Sequence, residues 1–148
     1  MDTFKVSLVG DARVGKTSLV SYLLTDQIPH EYVPTLGVEV HPVIYNHRRF
    51  NIWDTAGQER FGGLRDGYYI QSHIGLFMYN NPELTSQSDW ERRFRLVCPS
   101  APIVKCVNLN NEVEPTQFNR PREHVFFINL AHGEGVEALM NHLCHVAL

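Results

Sequence analysis

The run Gly10-Asp11-Ala12-Arg13-Val14-Gly15-Lys16-Thr17 constrains this chain more than any other stretch. It fits the spacing G-x-x-x-x-G-K-[ST] and stands between two patterns of different period. Before it, Phe4, Val6 and Leu8 alternate with Lys5 and Ser7, which predicts a strand ending at Gly10. After it, Leu19, Val20, Leu23 and Leu24 recur at helical spacing. Backbone N–H groups of a loop so placed converge on phosphate oxygens, and the helix N-terminus adds its positive end. Lys16 would bring a point charge to the outer phosphates, and the Thr17 hydroxyl suits Mg²⁺. A glycine turn that binds nothing is the alternative, but such a turn has no need of Lys-Thr after its second glycine.

The rest of the chain repeats the alternation of strand and helix. Val38 to Tyr45 and Arg49 to Trp53 read as two strands joined by the polar turn Asn46-His47-Arg48, and Ile74 to Tyr79 as a strand buried on both faces. Trp90, Phe94 and Val97 share one helical face, with Arg92, Arg93 and Arg95 mostly off it. Ile103 to Val107 and His124 to Ile128 predict two further strands. Val136, Leu139, Met140 and Leu143 form a closing amphipathic helix after Gly133-Glu134-Gly135. The expected fold class is α/β: a mostly parallel central sheet with helices on both faces and its functional loops at the carboxyl ends of the strands. Residues 108–123, with Pro115 and Pro121, are expected to be loop with one turn at most.

Composition sets the outer limits. A chain of 148 residues is expected to form one domain, burying about 70% of its unfolded surface. A net charge of −3 offers no general attraction to nucleic acid or an anionic membrane. The three cysteines, Cys98, Cys106 and Cys144, show no metal-ligand spacing and fit a reducing compartment. The N-terminus enters a strand pattern at once, no apolar run approaches the ~20 residues of a membrane span, and four residues follow Cys144 where a prenylation box has three. The expectation is a soluble intracellular monomer without signal peptide, lipid anchor or C-terminal extension.

A second constellation follows the hairpin: Trp53-Asp54-Thr55-Ala56-Gly57-Gln58-Glu59. Asp54 at a strand end can hold Mg²⁺ through water, the Gly57 amide can contact a terminal phosphate, and Gln58 can orient an attacking water. A turn cap is the plainer role for Asp54. With these residues in place, the chain resembles the Ras-superfamily small GTPases, and within them the Ran branch. Tyr32 through Pro42 and Trp53 through Gln71 carry the likeness, including Phe61-Gly62-Gly63-Leu64-Arg65-Asp66-Gly67-Tyr68-Tyr69. It is strongest from Phe4 to Gln71 and weaker after Tyr79.

The resemblance implies GTP or GDP with Mg²⁺ as ligands. Asp11, Ala12, Arg13, Val14, Gly15, Lys16, Thr17 and Ser18 would cradle the phosphates. Thr35 would join Thr17 and Asp54 around the metal, and Lys16 and Gln58 would be the catalytic pair. Thr35 would belong to a first switch, and residues 58–69 to a second, both ordered by the γ-phosphate. Nuclear import receptors of the importin type, an exchange factor and a nuclear transport factor are the partners implied, with nucleus and cytoplasm as the location. Phe61 would face such partners, or else pack beneath its own helix.

The base-reading motifs depart from the family. Where N-K-x-D is usual, the chain has Asn108-Leu109-Asn110-Asn111, and where S-A-K is usual, Asn129-Leu130-Ala131. Guanine presents N–H donors that a carboxylate accepts together, whereas the amide of Asn111 offers one acceptor and one donor. One unpaired buried polar group costs about 1–3 kcal/mol, and xanthine would suit Asn111 better. A slipped register that puts Glu112 at that position stays open. Ile28 stands where an aromatic ring usually stacks on the base, and Leu109 replaces a lysine stem with an apolar surface. The Leu130 amide is left to reach the base oxygen. Ala12 replaces a glycine and crowds the space of an activator's arginine finger, so stimulated hydrolysis should suffer. Arg13 would reach a phosphate or an acidic partner, or remain solvated.

These departures leave two expectations of different class. One is a Ran-like, nucleotide- and Mg²⁺-binding switch with slow GTP hydrolysis. The other is a pseudo-GTPase binding module that occupies Ran partners with weak or altered nucleotide specificity. His142 and His145, with Cys144 between them, lack a fourth ligand and read as a partly exposed helix end rather than a metal site.

Overall fold

In the computed structural model the described residues are 1–10, 14–24, 31–33, 38–54, 68–80, 89–109, 125–130 and 133–147. In chain order the elements are β1 (Asp2–Val9), α1 (Lys16–Leu23), β2 (Glu31–Val33), β3 (Val38–Tyr45), β4 (Arg48–Asp54), β5 (Ile74–Tyr79), α2 (Asp89–Val97), β6 (Ile103–Asn108), β7 (Val125–Ile128) and α3 (Val136–Val146). The strands form one sheet in the order β2-β3-β4-β1-β5-β6-β7. β1 is parallel to both β4 and β5, β5 to β6, and β6 to β7, while β3 runs antiparallel to β2 and β4.

Period-2 alternation in β1 sends its side chains to two separate cores. Val6 and Leu8 join Phe50, Ile52, Ile74, Leu76 and Met78 on one face, beneath Leu19 and Val20 of α1 and Leu139, Met140 and Leu143 of α3. Val9 joins Phe77, Tyr79, Val107 and Phe94 of α2 on the other. Helices therefore cover both faces, and β5, whose six residues are all buried, reads as the continuous apolar run that such coverage demands. The chain has the expected α/β fold, a mostly parallel sheet with helices on both faces. With strands laid out in opposite directions from β1, the carboxyl end of β1 is the point where the chain order reverses, and ligands of open α/β sheets bind there.

Some boundaries differ from the sequence reading. β1 begins at Asp2 because Asp2 pairs with Arg48. The β3–β4 turn is two residues rather than three: Asn46 and His47 have φ of 50° and 61°, and Tyr45 pairs with Arg48. Positive φ at both positions matches strand twist in two-residue hairpins, and Asn tolerates it. The short strand β2 was not expected; three residues on a sheet edge leave no periodic signal. Pro42 fits within β3 because β2 pairs only with Val38 to Val40, which leaves the proline beyond the partner's end. The expected loop of residues 108–123 lies, from residue 110 on, outside the described residues.

Candidate functional site

Two glycines shape the loop at the end of β1. A Cβ on Gly10 (φ +156°) would stand 2.6 Å from the Met78 carbonyl oxygen, and one on Gly15 (φ +94°) would stand 2.3 Å from Asn108 Nδ2. Gly15 is the N-cap of α1 in left-handed conformation and provides no side-chain cap. The first N–H groups of α1 thus begin at a residue that leaves backbone, not side chain, facing the loop. Lys16 follows in the first turn with its side chain 3% exposed. Thr17 continues that turn, and the Ser18 side chain is exposed.

Asp54 is the last residue of β4, in register with Leu8 of β1, and is 1% exposed. The sheet therefore brings a buried carboxylate to the strand end beside the one that feeds the glycine loop. Tyr68, 1% exposed, lies against the same corner. Its hydroxyl donates to the Leu8 carbonyl at 2.7 Å and to the Trp53 carbonyl, so one proton is shared by the ends of β1 and β4. Burial, the Asp54 carboxylate and the Tyr69 hydroxyl hold the Tyr68 pKa well above the usual phenol range, against the pull of its Leu8 hydrogen bond. Sequence reasoning gave Tyr68 no role beyond the family likeness, since its partners lie 60 and 15 residues away.

The end of β6 is built differently. Asn108, 3% exposed at the end of β6, donates from Nδ2 to the Val14 carbonyl at 3.1 Å. That bond fixes the amide orientation, and Asn108 Oδ1 is left buried without a hydrogen-bond partner. Its register partner in β7 is Ile128, whose side chain has no donor to offer. A buried acceptor costs free energy until a donor arrives, so this end of the site fits a ligand that brings N–H or O–H groups. Leu109 does not line that edge as an open apolar surface: it is 9% exposed and belongs to the core cluster with Tyr79 and Val107. Leu130 packs partly buried against the other cluster. It begins a loop closed by reciprocal backbone bonds between Asn129 and Glu134, at 2.9 and 3.1 Å.

The structure thus brings Val14, Gly15, Lys16, Thr17, Asp54 and Asn108 to one end of the sheet. Asp11, Ala12, Arg13, Ile28, Thr35, Gly57, Gln58, Phe61 and Asn111 lie outside the described residues. On α3, Cys144 is 5% exposed and belongs to the core, whereas the His142 and His145 rings lie 6.3 Å apart and His145 is exposed. Among the described residues no three histidine, cysteine or acidic side chains are grouped to hold a metal, and no helix is long and apolar enough to cross a membrane.

The cradle accepts what its chemistry suggests. Two positions that exclude a Cβ, a buried lysine at a helix start and a buried carboxylate one strand away form a set that fits phosphate and a hard cation. In agreement, residues 5–111, well over half of the chain, match the family described as Roc: Ras of Complex, Roc, domain of DAPkinase. The match reaches the Ras superfamily without singling out its Ran branch. The chain belongs to the Roc family and is a GTPase-like, nucleotide-binding switch domain.

Proposed function

We propose that the chain is a Ran-like switch that binds a guanine or related purine nucleotide with Mg²⁺ and hydrolyses GTP slowly. The observation that carries this reading is the Gly10–Gly15 cradle with Lys16 and Asp54 at one strand end. Backbone amides of the loop and the Lys16 ammonium would bind the outer phosphates. Thr17, Thr35 and Asp54 would hold Mg²⁺, which when bound neutralises charge developing on the phosphates. Gln58 would orient the attacking water, and catalysis would rest on positioning and electrostatics. Ala12 is expected to blunt the response to an activating arginine. The switch segments would meet importin-type receptors, an exchange factor or a nuclear transport factor, in nucleus and cytoplasm.

The base side supports a second reading, a binding module with weak or altered nucleotide specificity. Its support is the burial of Leu109 in the core rather than along the ligand edge. One experiment separates the two. The nucleotide retained after native purification is identified, GTP, XTP and ATP are titrated with Mg²⁺, and single turnover is compared with Gln58→Leu. Binding of GTP with hydrolysis that Gln58→Leu reduces supports the switch. Parent and variant both at the uncatalysed rate would favour the module. Failure to bind any importin-type receptor or nuclear transport factor would remove the Ran-like role and leave the family.

A further inference from the structure

On the α2 face of the sheet, a cavity of about 730 Å³ is lined by Lys5, Trp53, Ile70, Gln71, Ser72 and His73. Its one lysine is held in an unusual setting. Lys5 Nζ donates to the Ile70 carbonyl at 2.7 Å and lies 3.7 Å from the centroid of the Trp53 ring. Both are acceptors of partial negative charge, and neither is an anion. Among the described residues none that lines the cavity is acidic. Burial pulls the ammonium pKa down to about 8, a desolvation effect that the nearby Cys98 thiol only partly offsets.

The other lining groups add donors and apolar surface. The Lys5 backbone N–H donates to His73 Nδ1 at 2.8 Å, so the neutral ring carries its proton on Nε2 and has a donor there. Ser72 donates from Oγ to the Tyr69 carbonyl at 2.8 Å and is joined at 2.5 Å by Ser7, so its proton is already committed. Ile70 is 50% exposed, a large apolar side chain at the rim. Among its described residues the cavity thus has a cation, a second donor, two apolar walls and no acid. Charge complementarity calls for a carboxylate, and the walls call for an apolar group beside it. The volume exceeds that of a single carboxylate several-fold, as a peptide side-chain pair requires.

We infer that this cavity docks an acidic segment of a partner protein, with an Asp or Glu carboxylate on Lys5 Nζ and a neighbouring apolar side chain against Trp53 and Ile70. The inference does not depend on the nucleotide chemistry. The probe is a fluorescein-labelled peptide alternating leucine and glutamate, with a leucine–glutamine peptide as its uncharged counterpart and benzoate as a free small carboxylate. Anisotropy should show the glutamate peptide binding the full chain roughly tenfold or more tightly than the glutamine peptide, a preference that Lys5→Met abolishes. NMR of the Lys5 side chain in the unmodified chain should show its amine pKa rising on addition of the glutamate peptide, a readout independent of how the variant folds. Equal binding of the two peptides, or no binding at about 1 mM, would overturn the inference. Benzoate binding as tightly as the peptide would do the same, since the site would then serve a free small acid. An ordinary lysine pKa in the unliganded chain would mean that a carboxylate of this chain already fills the place.

Discussion

Asn108 at the end of β6 and Val14 in the phosphate loop, 94 residues apart, are joined by a single 3.1 Å hydrogen bond from Nδ2 to the carbonyl oxygen. This bond ties the end of β6 to the glycine loop that follows β1. Asn108→Asp would set a carboxylate against that carbonyl, two acceptors with no proton between them. The loss, including the buried charge, is about 1–3 kcal/mol or more, which predicts nucleotide affinity lowered roughly tenfold to a hundredfold. Release rates of a fluorescent GDP analogue would measure it. Release from Asn108→Asp as slow as from the parent would mean that the bond does not hold the loop in its binding shape.

Gly15 and Lys16 are adjacent but should fail in different ways. Gly15→Ala places a Cβ in a left-handed backbone and 2.3 Å from Asn108 Nδ2. The backbone alone costs about 1–2 kcal/mol, and displacement of Asn108 adds about 1 kcal/mol. Melting should fall by roughly 4–10 °C, with nucleotide binding lost as well. Lys16→Met keeps a side chain of similar length but removes the cation from the phosphate end of the site, and it leaves the left-handed backbone of Gly15 untouched. GTP affinity should therefore fall by about a hundredfold or more without the backbone strain that Gly15→Ala introduces. If both variants lost stability equally, Lys16 would be a packing residue first.

The phosphate loop and most strands were legible because their signals are local. Gly10, Gly15, Lys16 and Thr17 stand within eight residues, and β5 announces itself by six consecutive residues that the sheet buries on both faces. What the sequence hid depends on partners brought together by the fold. Nothing near Tyr68 says that its hydroxyl reaches Leu8, and nothing near Lys5 says that its amine lies over Trp53. Leu109 shows the limit from the other side. It sits within a recognisable motif position, yet its apolar side chain follows the core rather than the ligand edge, because burial of a leucine outweighs a contact with a partly solvated base. Chemistry spaced along the chain was readable; chemistry made by register and burial was not.

Tyr68→Phe should test how far the ends of β1 and β4 are held together by one proton. The hydroxyl serves the carbonyls of Leu8 and Trp53 in a fully buried corner. Its removal leaves the ring packed but deprives two buried acceptors of a donor, at a cost of about 1–3 kcal/mol. Urea denaturation should show a lower midpoint at an unchanged slope. A midpoint equal to the parent's would mean that both carbonyls are satisfied without Tyr68.

Lys5 should leave its mark on the pH dependence of stability. Its folded pKa, pulled down by burial, is about 8, against 10.5 for an ordinary lysine. Between those values the unfolded chain holds a proton that the folded chain has released, so stability must rise with pH across the window. The penalty is fully present below about pH 8 and gone above 10.5. Tyr69 and Tyr79, pushed up to about 12 by burial, act in the opposite sense from about pH 10. There the unfolded phenols lose protons that the folded ones keep, and stability falls. The buried Cys106 thiol, also raised by burial, adds to that fall. Lys5 is therefore isolated by the difference between the parent and Lys5→Met, in which the tyrosine and cysteine contributions cancel. Relative to the parent, the variant should be most favoured near pH 7, and that advantage should shrink steadily from pH 8 toward pH 10. The lost Ile70 and Trp53 contacts shift the difference by a constant while the amine is charged, so the slope rather than the offset is the criterion. A difference that stays flat from pH 7 to pH 10 would show that the Lys5 ammonium carries no desolvation cost in the folded chain.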